Sequence, residues 1–299
     1  MKGWKVKMKE KTLDKKSLQG TFYVLLSAIS FSTGGVLIKA IPWNSFSISM
    51  ARSLLAFGVI FLYQRSQGRK FVFNKTVLFG ALCNTVMAVS FVMATKLTTA
   101  ANAIVLQFTE PVFLILIVWL IYRQKPGKDA VITCMLVLCG IFCFFYESLS
   151  TGGMAGNLLA ILSGFTYAGV FLIKKMPGGD FESSLLVSNV ISTVIGIPFF
   201  AKESVFSPTI WVCVVLLGIV QFGLSYIFLS KGLDRVSPVT ASLTSTIEPI
   251  LNPILVAIFF EEKIGMLSLV GAVLVIGAAT VYNLRQACPH REPAVFRSR

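Results

Sequence analysis

Two glutamates, Glu110 and Glu248, stand inside apolar runs at residues 99–122 and 236–260, and each is followed at once by a proline, Pro111 or Pro249. A carboxylate at the middle of a bilayer costs about 2.5–3.5 kcal/mol unless it turns into a protein interior, is paired or is neutral. The prolines add a second demand. Each lacks a backbone N–H and frees the carbonyl four residues back, here Gln107 and Ser245, and Pro253 predicts a further break in the second run. Freed carbonyls at membrane depth are tolerated only where protein buries them or a cavity receives them. The chemistry on offer is reversible binding of a proton, a cation or an ammonium group at a broken helix, where membrane carriers place such sites. The competing reading is structural: each glutamate locks its own broken helix against a neighbour. The presence of Glu-Pro in both runs favours that reading, because a small ligand is seldom two-fold symmetric.

Arg52 is the one cation inside a predicted span. It can hold a ligand carboxylate, or it can end in an ion pair or on backbone carbonyls. Asn84, Asn102, Gln107, Gln221 and Asn252 are polar side chains within apolar segments. They suit a cavity wall or helix–helix hydrogen bonds worth about 0.6–2 kcal/mol each. Tyr167 and Tyr226, with Phe31, Phe171 and Phe222, offer rings to an amphipathic ligand or simply fill the core. Ser27, Ser30, Ser32, Gly34, Gly35, Ser163, Gly164 and Gly169 allow close helix approach or hinging. Trp43 and Trp4 read as interfacial anchors.

Helices must position these groups. Hydrophobic residues make up 55% of the chain and charged residues 13%, against about a quarter charged in an ordinary soluble domain; the mean hydropathy is +0.79. The apolar runs predict spans at 19–39, 43–64, 76–97, 99–122, 128–146, 154–174, 183–201, 209–231, 236–260 and 264–284. Alternating the loops places twenty-two Lys and Arg residues on one side and four on the other, a separation that an odd number of helices destroys. The expected topology is therefore ten spans with both termini cytoplasmic, in the cell (inner) membrane. The net charge of +14 is topology rather than a nucleic-acid footprint. The lysine-rich start before residue 17 precedes a run too long for a cleaved leader, so the first span is read as retained.

The chain also repeats itself. Lys96-Leu-Thr-Thr-Ala-Ala-Asn-Ala before Glu110-Pro111 matches Asp234-Arg-Val-Ser-Pro-Val-Thr-Ala before Glu248-Pro249 at an offset of 138 residues. Gly34-x-x-Leu37-Ile38-Lys39 matches Gly169-x-x-Leu172-Ile173-Lys174 at an offset of 135. Five helices per repeat is odd, so the halves enter the membrane from opposite sides.

These residues, with Arg52 early in its helix and the charged turns Arg123-Gln-Lys-Pro-Gly and Glu261-Glu-Lys-Ile-Gly, resemble the ten-helix EamA-type permeases of the drug/metabolite transporter superfamily. The resemblance spans residues 19–284. It implies export or exchange of amino acids, related metabolites or drugs through a central cavity between the halves. Small four-helix relatives carry a coupling glutamate where this chain has Phe31 and Thr166, so that device is absent.

The expected fold is an all-α membrane protein of ten transmembrane helices in two inverted five-helix repeats: a basic arm at 1–18, repeats at 19–146 and 154–284, and a basic tail at 285–299. The expected function is secondary transport of a small zwitterionic or amphipathic metabolite such as an amino acid, by rocking of one repeat against the other. Partners are that substrate, the lipid bilayer and a coupling proton or ion, with monomer and homodimer both open. Efflux of organic cations is the alternative, and a membrane scaffold, a sensor or an intramembrane enzyme are readings of another class. No cofactor or metal is implied: the one histidine, His290, lies in the tail, the six cysteines have no metal-site spacing, and no phosphate-binding loop for ATP is present. A dianionic sugar phosphate would call for more mid-span cations than Arg52 alone.

Overall fold

The computed structural model describes residues 15–123, 127–151, 153–260 and 265–287. Trp4, Cys288, His290 and most of both charged turns, of the arm and of the tail lie outside these residues. Every element is helical among those described: α1 (Lys15–Ser32), α2 (Gly34–Ala40), α3 (Ser45–Ser66), α4 (Lys75–Leu97), α5 (Ala100–Gln107), α6 (Glu110–Tyr122), α7 (Lys128–Thr151), α8 (Met154–Leu172), α9 (Phe181–Phe200), α10 (Pro208–Val215), α11 (Ser225–Leu233), α12 (Pro238–Thr244), α13 (Glu248–Phe260) and α14 (Met266–Ala287). A π-helical stretch, Leu216–Leu224, joins α10 to α11, and a 3₁₀ turn, Ser245–Ile247, joins α12 to α13. Seven helical spans, counting α1–α2, α5–α6 and α10–α11 as continuous, are long and apolar enough to cross a membrane. Three shorter apolar stretches follow the same composition, at Val131–Gly140, Glu248–Phe260 and Leu269–Ala278.

Several starts are set by short polar side chains that accept the first free N–H groups. Asn74 Oδ1 accepts from Val77 N at 2.9 Å and Asp180 Oδ1 from Ser183 N at 2.7 Å. Ser207 caps α10, with Pro208 at the first helical position. Two of the breaks fall at prolines. The α5–α6 break falls at Phe108 and Thr109, and the 3₁₀ turn ends at Ile247, so both helices re-start at the Glu-Pro pair. The second break expected at Pro253 does not occur, because α13 runs through it to Phe260. Pro253 lies in the second turn, where the lost bond is only to the carbonyl of Pro249 near the helix start.

Packing crosses between the halves. α1 packs on α11 and α4 on α8, while α3 lies along α9, α7 along α14 and α5 against α13. Exchanging each element for its equivalent in the other half turns the first pair into the second, maps α3–α9 and α7–α14 onto themselves, and turns α5–α13 into the contact of α12 with α6. A two-fold axis relating the halves produces this pattern. It also bears on the expected motion. Residues 19–146 and 154–284 meet along all five of these pairs, so rocking of one repeat against the other has to repack these faces.

Gly164 of α8 shows how tightly the break is held. A Cβ there would come 2.5 Å from the Gln107 backbone carbonyl oxygen and 3.0 Å from Thr109 Oγ1. Gly164→Ala is therefore expected to destabilise the protein by about 1–3 kcal/mol rather than stabilise the helix as alanine usually does. Thermal unfolding of the purified protein in detergent checks this.

Candidate functional site

The breaks, the π-helical stretch and three unbroken helices converge on one narrow cavity. It is partly open, with about 330 Å³ of non-atom space that includes open solvent, and is lined by Phe31 (α1), Arg52 (α3), Met87, Ala88 and Phe91 (α4), Gln107 (α5), Tyr167 (α8), Gln221 and Phe222 (the π stretch), Tyr226 (α11) and Glu248 (α13). Six of the ten polar residues singled out from sequence are among them: Arg52, Gln107, Tyr167, Gln221, Tyr226 and Glu248. Phe31 and Phe222 join them from the aromatic set, whereas Phe171 packs behind the cavity against Tyr167 with ring centroids 4.8 Å apart.

Arg52 is 2% exposed. One guanidinium nitrogen donates to the Ala88 carbonyl at 2.7 Å, and the guanidinium carbon lies over the Phe222 ring, 4.4 Å from its centroid. Its Nε has no partner, and no carboxylate of the described residues lies within ion-pair distance. Glu248 faces the same cavity, 5% exposed, and its Oε2 has no hydrogen-bond partner. A buried cation and a buried carboxylate thus share one chamber without pairing, at considerable cost to the fold.

Glu110 is held differently. Its Oε2 accepts from Ser242 Oγ of α12 at 2.6 Å, and it does not line the cavity. The repeated Glu-Pro pairs are therefore unequal: one carboxylate is docked on the other half, and its counterpart is open.

The remaining polar candidates set the walls. Asn84 accepts from the Tyr226 hydroxyl at 2.5 Å and donates to Ser188 Oγ at 2.8 Å, so it orients Tyr226 from behind. Gln107 donates to Ser163 Oγ at 2.6 Å, which donates to the Met87 carbonyl at 2.9 Å. Gln221 Nε2 reaches the Phe31 carbonyl at 3.4 Å beside the α1–α2 break, and its Oε1 has no partner. Asn102 is a start-of-helix residue: its N–H donates to Thr99 Oγ1 at 3.0 Å and its amide reaches Thr98 Oγ1 at 3.4 Å. Asn252 is fully buried against Gly35 rather than in the cavity.

Sequence reasoning gave no place to Met87, Ala88 and Phe91, which face the ligand space from an apolar run with no distinguishing signal. The π stretch carries no proline to announce it; a π turn adds a residue locally and recurs at functional sites. Here it presents Gln221 and Phe222 to the cavity together.

Contacts between the halves also join α3 and α9 at both of their ends, on either side of Arg52. At one end Glu182 of α9, 2% exposed, accepts from Arg69 at 2.6 Å and from Ser230 Oγ at 2.5 Å. Lys174 joins Asp234 at 2.6 Å beside them, with Arg69 3.5 Å from the same aspartate. At the other end Trp43 is 2% exposed, donates to the Val205 carbonyl at 2.7 Å and meets Phe200, Phe206 and Trp211 edge-on. Trp43 is thus an interior clasp and not an interfacial anchor, because its partners cover it on every side. Glu182→Gln removes a buried charged acceptor and is expected to weaken the first of these ends by about 1.5–3 kcal/mol. The exposed Arg69–Asp234 contact adds little to this. The measurement is alkylation of a cysteine placed at Ala88, which labels at least about tenfold faster in the variant.

Comparison with known proteins agrees with this architecture. The model of the EamA-like transporter family matches twice, at residues 18–146 and 154–284. A protein of Archaeoglobus fulgidus named an uncharacterized transporter is 23% identical over 267 residues, covering 88% of this chain and 95% of its own. Human solute carrier family 35 member G1 is 24% identical over 292 residues, covering 87% of this chain and 77% of its own. A solved crystal structure, described only as that of a protein, superposes with a TM-score of 0.63 at 17% identity over 92% of this chain and 100% of its own, a likeness of fold alone. Apolar helices of membrane length, two copies of one family unit and relatives named as transporters make this a multi-pass membrane transporter rather than an enzyme, and the chain belongs to the EamA-like transporter family.

Proposed function

We propose that the protein is a secondary transporter that moves a small zwitterionic organic metabolite, of the amino-acid kind, outward across the cell membrane by alternating access. The observation that carries this reading is the pair of unpaired buried charges: Arg52 and Glu248 line the same chamber and neither meets an opposite charge there. A ligand carboxylate on the Arg52 fork and a ligand ammonium at Glu248 would neutralise both at once. The rings of Phe31, Tyr167, Phe222 and Tyr226 favour a ligand with an apolar or aromatic body. An organic cation would suit Glu248 and the rings but would be repelled by Arg52. A dianion would meet one cation and one opposing carboxylate.

In this reading ten spans form two inverted five-helix repeats with both termini cytoplasmic, which puts the Arg69, Lys174, Glu182 and Asp234 cluster at the cytoplasmic mouth. The moving units are the cross-repeat pairs, α1 with α11 and α4 with α8, and the broken helices between them supply the substrate groups. Gly34 and Gly35 beside the α1 break and the π stretch are the points where these pairs flex. The test is counterflow into liposomes holding the purified protein, with amino acids, their amides, their des-amino acids and aromatic amines as competitors. Saturable flux of zwitterions, with weak competition by the singly charged analogues, is the expected result. Flux of amines alone would replace this reading by cation efflux, and no flux of any class would overturn transport by this site.

A further inference from the structure

We infer that a single hydroxyl decides which of the two repeated carboxylates is free to work. This inference rests on the transport reading above and names the residues that set its asymmetry. Glu110 and Glu248 are equivalent at an offset of 138 residues, and so are Ile104 and Ser242. Ser242 donates to Glu110 across the halves at 2.6 Å. The two-fold relation that maps Glu110 to Glu248 maps this contact to one between Ile104 and Glu248, and isoleucine has no donor. Ile104 is fully buried on α5, the helix that packs against α13, and belongs to an apolar cluster. Each glutamate keeps one oxygen without a partner, Oε1 of Glu110 and Oε2 of Glu248, but only Glu110 is held by a hydroxyl from the other half, and only Glu248 opens into the cavity.

Ser242 therefore removes one carboxylate from service as a fixed brace, and Ile104 keeps the other available. The position at 104 and 242 sets the number of working carboxylates, and with it the positive charge that the cavity accepts. A protein with a hydroxyl at both positions would have two braces and no ammonium site. One with neither would present two free carboxylates and would take a more cationic ligand.

The experiment is labelling with dicyclohexylcarbodiimide, which traps a carboxylate in apolar surroundings each time it takes up a proton, followed by mass-spectrometric location of the adducts. Wild type is expected to label at Glu248 and not at Glu110. Ile104→Thr, which keeps the branched shape and adds a hydroxyl, is expected to lower labelling of Glu248 by about tenfold, the order that a hydrogen bond to a carboxyl group is worth. Ile104→Val, without the hydroxyl, is expected to label as wild type does. Ser242→Ala is expected to make Glu110 label. Equal labelling of both glutamates in wild type, or Ile104→Thr and Ile104→Val behaving alike, would overturn the inference. Labelling needs no substrate, so absence of flux in the counterflow assay would strike the transport reading and leave this asymmetry standing.

Discussion

Glu248→Gln is expected to lower flux by about 10²-fold or more while the protein purifies and unfolds as wild type does. Glu248 faces the cavity with a free oxygen, so no contact in the resting structure is lost when its charge is removed. What is lost is the partner of a positive group on the ligand, and that loss is felt only when ligand is bound. Glu110→Gln is expected to do the reverse. Its carboxylate takes the Ser242 hydroxyl at 2.6 Å between the halves, and an amide there brings an N–H₂ group with no acceptor, for about 1–2 kcal/mol of stability. Flux by the surviving protein stays within about threefold of wild type. Counterflow rates and detergent melting curves of the two variants, measured side by side, separate the roles.

Arg52→Met is expected to gain about 1–4 kcal/mol of stability and to abolish carriage of carboxylate-bearing ligands. The guanidinium is buried, its Nε is without a partner, and its one carbonyl acceptor, Ala88, lies inside α4, where the helix already occupies that oxygen. Nothing in the resting protein compensates such a charge beyond the Phe222 ring, worth about 2 kcal/mol when desolvated. A group this expensive is retained for what it does when ligand arrives. Arg52→Lys keeps the charge but loses the planar fork and the guanidinium contact over Phe222, so flux is expected to fall steeply here too. A variant that becomes less stable while keeping flux would place Arg52 among the structural residues.

Much of the site is legible in sequence where a single residue dictates local geometry. Proline cannot donate, so Pro111 and Pro249 mark both interrupted helices, and Gln107 is found at the cavity beside its break. Charge inside an apolar run is equally legible, because lipid forbids it; Arg52 and Glu248 were identifiable on that ground. The rest depends on partners distant in sequence. Glu110 and Glu248 look alike until Ser242, on the opposite half, distinguishes them. Asn84, Asn102 and Asn252 have the same composition signal as Gln221, and only packing divides a brace for Tyr226, a helix start and a buried neighbour of Gly35 from a cavity wall. Glu182 was hidden for a different reason. In sequence Arg69 and Lys174 carry only the signal of topology charges, and the fold draws them together with a buried acid and Asp234 into one cluster. Likewise Pro253 gave the signal of a break without one, because its position near the start of α13 spares most of the helix ladder.

The central claim is that one ligand bridges two buried charges that do not pair with each other. Electron cryo-microscopy of the protein with a counterflow-active zwitterion tests it most directly. Ligand density is expected in the cavity with its carboxylate about 3 Å from the Arg52 guanidinium and its ammonium about 3 Å from Glu248. Ligand seated elsewhere, or Arg52 and Glu248 closed on each other with ligand bound, would contradict it.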